Sequence, residues 1–208
     1  MIPIATFATF FAASTLLALA PGPDNIFVLT QSAMRGKEAG LMVTIGLCTG
    51  LIVHTTAVAF GVAVIFQASE VAFTVLKLIG AGYLLYLAGQ IFRASAAKIG
   101  TNSTNEMSFA KLYRRGIIMN VTNPKVSIFF LAFLPQFADP NRGSLTLQIM
   151  MLGGIFIIST LLVFGGVAIL AGSLGELLNR SARMQRIINW IAGFIFVGIA
   201  IKLLTAQR

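Results

Sequence analysis

Two charges sit alone in long apolar runs, each beside a proline break. Asp24 is the only ionisable side chain between Ile2 and Met34, and it follows Pro21-Gly22-Pro23. Lys125 is the only one between Gly116 and Ala138, and it follows Asn123-Pro124. An unpaired charge at bilayer depth costs about 2.5–3.5 kcal/mol on insertion scales, so such residues normally mark a pathway, a relay or a counter-ion. Proline lacks a backbone donor and clashes with the preceding turn, so a helix opens there and leaves N–H and C=O groups free. Within a membrane such backbone is tolerated only where it is buried in protein or lines a cavity. The two stretches are therefore expected to meet, and the rest of the chain to be the scaffold that brings them together.

Composition supports a membrane setting. Hydrophobic residues make up 57% of the 208 and charged ones only 10%, too little polar cover for an ordinary soluble domain. The net charge of +9 comes from basic residues scattered between apolar segments, with no basic stripe interleaved with aromatics, so no nucleic-acid partner is expected. Cys48 is the only cysteine, which excludes an internal disulfide. Ala18-Leu19-Ala20 resembles a signal-peptidase site, but no Lys or Arg precedes the apolar run and Pro21 follows the cut. The first segment is expected to be a retained transmembrane helix.

A helix needs about 20 mostly apolar residues to cross the hydrocarbon core. Six segments meet this, at approximately 3–34, 40–66, 71–92, 115–137, 145–174 and 187–206. The expected fold is an all-α polytopic membrane protein of six transmembrane helices, with helices one and four broken. A first three-helix half, 1–94, and a second, 113–208, are separated by a polar linker at 95–112. An odd number of helices per half inverts the second half, giving a 3+3 inverted repeat. A shift of 101 residues lays Gly22-Pro23-Asp24 over Asn123-Pro124-Lys125. At a somewhat larger shift, Ala81-Gly82-Tyr83 resembles Ala192-Gly193-Phe194. Gly46, Gly50, His54, Ala57 and Gly61 form a small-residue stripe that lets another helix approach, and Gly153, Gly154, Gly165, Gly166 and Gly172 suggest the same in segment five. None of these glycines belongs to a phosphate-binding loop.

The paired signatures resemble those of the lysine/threonine exporters (LysE/RhtB). They are Ala20-Pro21-Gly22-Pro23-Asp24-Asn25, and Asn123-Pro124-Lys125 followed by Phe129-Phe130 and Pro135-Gln136-Phe137; Gly82-Tyr83-Leu84-Leu85-Tyr86-Leu87 fits the same pattern. The resemblance covers nearly the whole chain. It implies a multi-pass exporter of amino acids in the bacterial inner membrane, driven by the proton gradient through antiport with alternating access. Amino-acid substrate, protons and lipid are the partners it implies, with a homo-oligomer left open.

Asp24 and Lys125 allow two readings: a structural ion pair tying the halves together, or a site for a zwitterion. A buried pair is weak evidence for stability, because desolvation can cancel the attraction. A free amino acid carries one ammonium and one carboxylate, and opposed charges beside broken backbone match both. In the functional reading Asp24 takes the ammonium and exchanges the coupling proton. Lys125, with the free N–H groups at the half-helix after Pro23, takes the carboxylate. Gly22, Pro23, Asn25, Asn123 and Pro124 complete the candidate substrate site. Asn25 and Asn123 either repair freed backbone or touch substrate. His54, the sole histidine, is a packing residue or a second proton-coupling group. Gln136 is expected to be a polar helix end near the outer surface, while Thr55, Thr56 and Tyr83 either line the pathway or bond to their own helix. With no second charge beside the site, a neutral amino acid of threonine or homoserine type is favoured over lysine or arginine. No metal or cofactor is expected. An intramembrane enzyme is the alternative from another class, but there is one membrane carboxylate where a dyad needs two, one His without a Glu at metal spacing, and no Gly-x-Ser-x-Gly elbow. A passive channel is the other alternative.

Basic residues fix the expected orientation. Arg35, Lys37, Arg93, Lys98, Lys111, Arg114, Arg115, Arg180, Arg183 and Arg186 fall on one side, against Arg142, Lys77, Lys202 and Arg208 on the other. The positive-inside rule puts both termini outside the cytoplasm. A C-terminal alkaline phosphatase fusion is therefore expected to be active and a C-terminal green fluorescent protein fusion dark; the reverse pattern would contradict the assignment.

Overall fold

In the computed structural model, which describes residues 2–68, 70–93, 107–180 and 182–205, every element is helical. The prolines set the breaks. Helix α1 (Ile4–Leu19) ends at Ala20, whose backbone is extended because the ring of Pro21 disfavours a helical residue before it. Pro23 then opens α2 (Pro23–Arg35) at the first helical position, where its missing donor costs nothing. The two helices are bent by 63°. The same device recurs in the second half. There α5 (Phe109–Val121) stops before Asn123, and Pro124 opens α6 (Pro124–Ile128). A π-helical turn (Phe129–Phe133) and a 3-10 turn (Leu134–Phe137) extend α6, giving a 49° bend relative to α5. Pro135 has no N–H to continue an α-helical ladder at this point.

The long elements are α3 (Lys37–Ala68), α4 (Glu70–Arg93), α7 (Leu145–Arg180) and α8 (Ala182–Thr205). Among the described residues, Lys37–Gly61 and Leu145–Ala171 are long and apolar enough to cross a membrane, and each bent pair, taken as one span, raises the number from two to four. Asn189–Thr205 of α8 is a shorter apolar stretch. Most of the expected linker, 95–106, lies outside the described residues. Its last residues are helical, because Ser108 caps α5 by accepting a hydrogen bond from the Lys111 N–H.

Helices α3 and α7 pack together as the centre. They run antiparallel, with Gly40 beside Ala168 and Gly153 beside Thr55. Helix α5 lies along α3, with Gly46 against Tyr113 and Gly116, and Gly50 against Asn120. Helices α1 and α2 lie on α7, α2 also lies on α3, and α4 pairs with α8, where Gly193 meets Phe92. The expected small-residue stripe thus holds at Gly46, Gly50 and Gly153, while Gly61, Gly154, Gly165 and Gly166 face open space. Outward positions such as Ile52, Phe60, Leu162, Ile169 and Phe194 are exposed and apolar. At one end Arg35 donates to the Met107 carbonyl at 3.3 Å and Arg115 lies 4.9 Å over the Phe27 ring, so basic residues of α2 and α5 gather there.

A Cβ at Gly116 would stand 2.5 Å from the Val43 carbonyl oxygen and 3.1 Å from Gly46 Cα, both backbone atoms that cannot rotate away. Gly116→Ala is expected to force α3 and α5 apart and destabilise the protein by about 1–3 kcal/mol. Gly154→Ala, in open space, is the control. Thermal unfolding in detergent checks this; equal midpoints for Gly116→Ala and wild type would contradict the packing.

Candidate functional site

Opening the helix at Ala20 leaves carbonyls of the last α1 turn without intrahelical partners. Lys125 uses them. Its ammonium donates to the Ala20 carbonyl at 3.2 Å and the Leu17 carbonyl at 3.4 Å. Asn25, one turn beyond the break, donates its side-chain amide to the Ala18 carbonyl at 2.6 Å. Gly22 is what lets Lys125 come so close, since a Cβ there would lie 3.0 Å from the Lys125 Nζ.

Asn123 joins the two breaks. As the N-cap of α6 its Oδ1 accepts from the Lys125 backbone N–H at 3.0 Å, while its Nδ2 donates to Asp24 Oδ2 at 2.8 Å. Asp24 and Lys125, 2% and 7% exposed, thus lie on either side of one amide. They do not form the direct ion pair of the structural reading; an ion pair among the described residues is Arg142–Asp139 at 2.9 Å. The reason is local: the ammonium is held by freed carbonyls and the carboxylate by the capping asparagine. Asp24 Oδ1 and Asn25 Oδ1 are buried with no hydrogen-bond partner. A buried oxygen left unpaired is costly, and here it is available to a donor from a ligand. Pro23 and Pro124 are exposed, so they shape the break from outside it.

His54 is half-buried. Its Nε2 lies 3.2 Å from the Asn120 carbonyl oxygen, and its ring packs 5.5 Å from Phe130. It therefore sits one turn of α5 before Asn123, against the element that carries the break. Thr55 bonds back to the Leu51 carbonyl at 2.7 Å, Thr56 is exposed and Tyr83 is half-buried beside Tyr86. Among the buried polar residues that escaped the sequence reading are Asn120, Ser159 and Thr160, each with a side-chain oxygen that has no hydrogen-bond partner. Asn120 had a signal, an amide within the same apolar run as Lys125. Ser159 and Thr160 had none, because mid-helix hydroxyls commonly bond to their own helix.

Beyond the breaks, towards the start of α1, phenylalanines close the interior. Phe10 packs 6.0 Å from Phe129 and 5.0 Å from Phe137, and Phe130 packs 5.1 Å from Phe156. Above them lies a cavity of about 440 Å³ lined by Thr6, Thr9, Gln136, Asp139 and Arg142. This cavity is separate from the charges at the breaks. Gln136 is half-buried on its wall and donates to the Ala132 carbonyl at 3.3 Å. The Asn141 backbone N–H holds the Asp139 carboxyl below the ordinary aspartate range, and Arg142 adds to the effect against a smaller desolvation.

The family model for LysE type translocator matches residues 15–207. The chain is 34% identical over 206 residues to a protein of Salmonella typhi named homoserine/homoserine lactone efflux protein, covering 98% of this chain and 99% of that one. It is 33% identical to a Vibrio cholerae protein named only as an uncharacterized membrane protein, over 95% of this chain and 96% of that one. It is 26% identical to the leucine efflux protein of Salmonella choleraesuis, over 96% of this chain and 94% of that one. No solved structure matches. Two proline breaks, a bridged acid and base, and a match over nearly its whole length give one conclusion: the chain belongs to the LysE type translocator family.

Proposed function

We propose that the protein exports neutral amino acids, of the threonine or homoserine type, in exchange for protons. The observation that carries this is the arrangement at the breaks: a buried carboxylate with one unpartnered oxygen, and an ammonium resting on carbonyls that the breaks have freed. A zwitterion can replace both halves of it. Its ammonium takes Asp24 Oδ1, and its carboxylate draws the Lys125 ammonium away from the Leu17 and Ala20 carbonyls. Asn123, which donates to Asp24 Oδ2 and accepts from the Lys125 backbone N–H, ties the carboxylate to the start of the half-helix that carries the ammonium. Asp24 can hold the substrate ammonium or a proton but not both, and that exclusion is what antiport requires. His54 is the second proton-coupling group in this scheme, reaching the site through Asn120.

The relatives named for homoserine and leucine efflux support a carrier of neutral amino acids over a channel or an enzyme. Homoserine lactone keeps the ammonium and has no free carboxylate, so Asp24 is the contact all these substrates share. The six-span, 3+3 inverted form draws support from packing: α1 lies on α7 as α5 lies on α3, and the self-paired contacts α3 with α7 and α4 with α8 complete the pattern. Alternating access then rocks one half against the other around the breaks. The basic end containing Arg35 and Arg115 faces the cytoplasm of the bacterial inner membrane, with both termini periplasmic.

In proteoliposomes with an imposed pH gradient, Asp24→Asn and Lys125→Ala are each expected to lower amino-acid transport by roughly tenfold or more, as removing one partner of a buried charged network does. Normal gradient-driven transport in both variants, at normal abundance, would overturn the assignment. His54→Gln is expected to flatten the dependence of efflux on pH. A profile superimposable on wild type would assign His54 to packing alone.

A further inference from the structure

Mid-helix hydroxyls in this protein have a habit. Ser14, Ser32, Thr44 and Thr55 are all buried, and each donates to the carbonyl four residues earlier, at 2.7–2.9 Å. Ser159 and Thr160 are equally buried, yet neither hydroxyl has a partner, and nor does Asn120 Oδ1. The ordinary way to satisfy a helical hydroxyl is not taken at these positions.

Helix register shows where they lie. Gly40 beside Ala168 and Gly153 beside Thr55 put Thr160 opposite Cys48 and Ser159 opposite Thr49. Gly40 beside Ser32 puts Asp24 at the level of Cys48 as well, and Gly50 meets Asn120 directly. The residues Asp24, Asn25, Asn120, Ser159 and Thr160, each carrying an unpartnered oxygen, thus fall at one level of the bundle, within about 5 Å along the α3 axis at ~1.5 Å per residue. Gln31, also unpartnered, lies about two turns away on α2. Thr160 belongs to the buried stripe of α7 formed by Gly153, Phe156, Phe164 and Ala168. Phe156 of that stripe touches Phe129 and Phe130, which follow α6.

Resting on the proposed function, we infer that Asn120, Ser159 and Thr160 form the side-chain subsite of the substrate chamber, and that it selects neutral amino acids carrying a hydroxyl. The chemistry is complementary. A substrate hydroxyl donates to Asn120 Oδ1 and accepts from Ser159 or Thr160, while an apolar side chain leaves all three unpaired. A site built to bond a hydroxyl discriminates strongly against the analogue lacking it, because its own polar groups are then stranded. A lysine-like side chain meets no carboxylate here, since Asp24 is committed to the α-ammonium.

The test is counterflow of labelled L-homoserine in proteoliposomes, with unlabelled L-homoserine or its apolar isostere L-norvaline as competitor. Wild type is expected to prefer homoserine by about tenfold or more. Ser159→Ala and Thr160→Val are each expected to lower that preference severalfold. Thr160→Ser, which keeps the hydroxyl, restores it. Thr44→Val, about one turn along α3 and bonded to the Gly40 carbonyl, leaves the ratio at its wild-type value. Because Ser159→Ala removes a single atom, it guards against misfolding, and the ratio is read on whatever folded protein remains. Exchange with an unaltered ratio in Ser159→Ala and Thr160→Val, or no preference in wild type, overturns the subsite alone. Failure of wild type to exchange any amino acid overturns the proposed function with it.

Discussion

The contact on which the rest depends is the Lys125 ammonium seated on the Ala20 and Leu17 carbonyls. It solves two expensive problems together. A proline break strands main-chain carbonyls in the interior, and an ammonium in the same interior has lost its water. Each supplies what the other lacks. Two oxygens beside the break, Asp24 Oδ1 and Asn25 Oδ1, are left without a hydrogen-bond partner, and in the proposed function the first of them receives the substrate ammonium. A fully satisfied pair would have little reason to exchange partners.

The scaffold explains why the contact can form. Helices α3 and α5 approach closely enough at Gly46 and Gly116 for backbone to meet backbone, which brings the end of α5, and so Asn123, alongside the centre of the bundle. Helix α2 folds back on α3 after Gly36, whose positive φ of 86° permits the reversal. Asp24 and Asn123 thereby converge although they are 99 residues apart in sequence. Phenylalanines carried by α1, α7 and the π-helical turn fill the space beyond the breaks, separating them from the polar cavity around Asp139 and Arg142. Aromatic packing on one side and an apolar cluster of Val28, Val43, Leu47 and Phe164 on the other leave the charged layer enclosed.

Much of this was legible in the sequence because proline and lone charges act locally. Pro23 and Pro124 dictated where helices restart whatever surrounds them, and Asp24 and Lys125 announced a shared interior by their isolation. What was not legible depends on rotation and register. Which glycines take a neighbour is set by how each helix turns about its axis, so Gly46 and Gly50 were separable from Gly61 only once α5 was in place. Asn123 could cap, bond Asp24 or touch substrate, and it turned out to do the first two at once. The reading of Asp24 and Lys125 as a structural ion pair, one of the two that the sequence allowed, did not include that bridge. Ser159 and Thr160 gave no sign at all, because the distinguishing feature is a hydrogen bond they fail to make.

In the proposed function the α-ammonium of the substrate docks on Asp24 and competes there with a proton. The most direct measurement compares, as competitors in counterflow, a transported amino acid and its N-acetyl derivative, which keeps the carboxylate and side chain but has no ammonium. The expected result is full inhibition by the amino acid and none by the derivative at concentrations where the parent saturates. Equal inhibition by the two would contradict it.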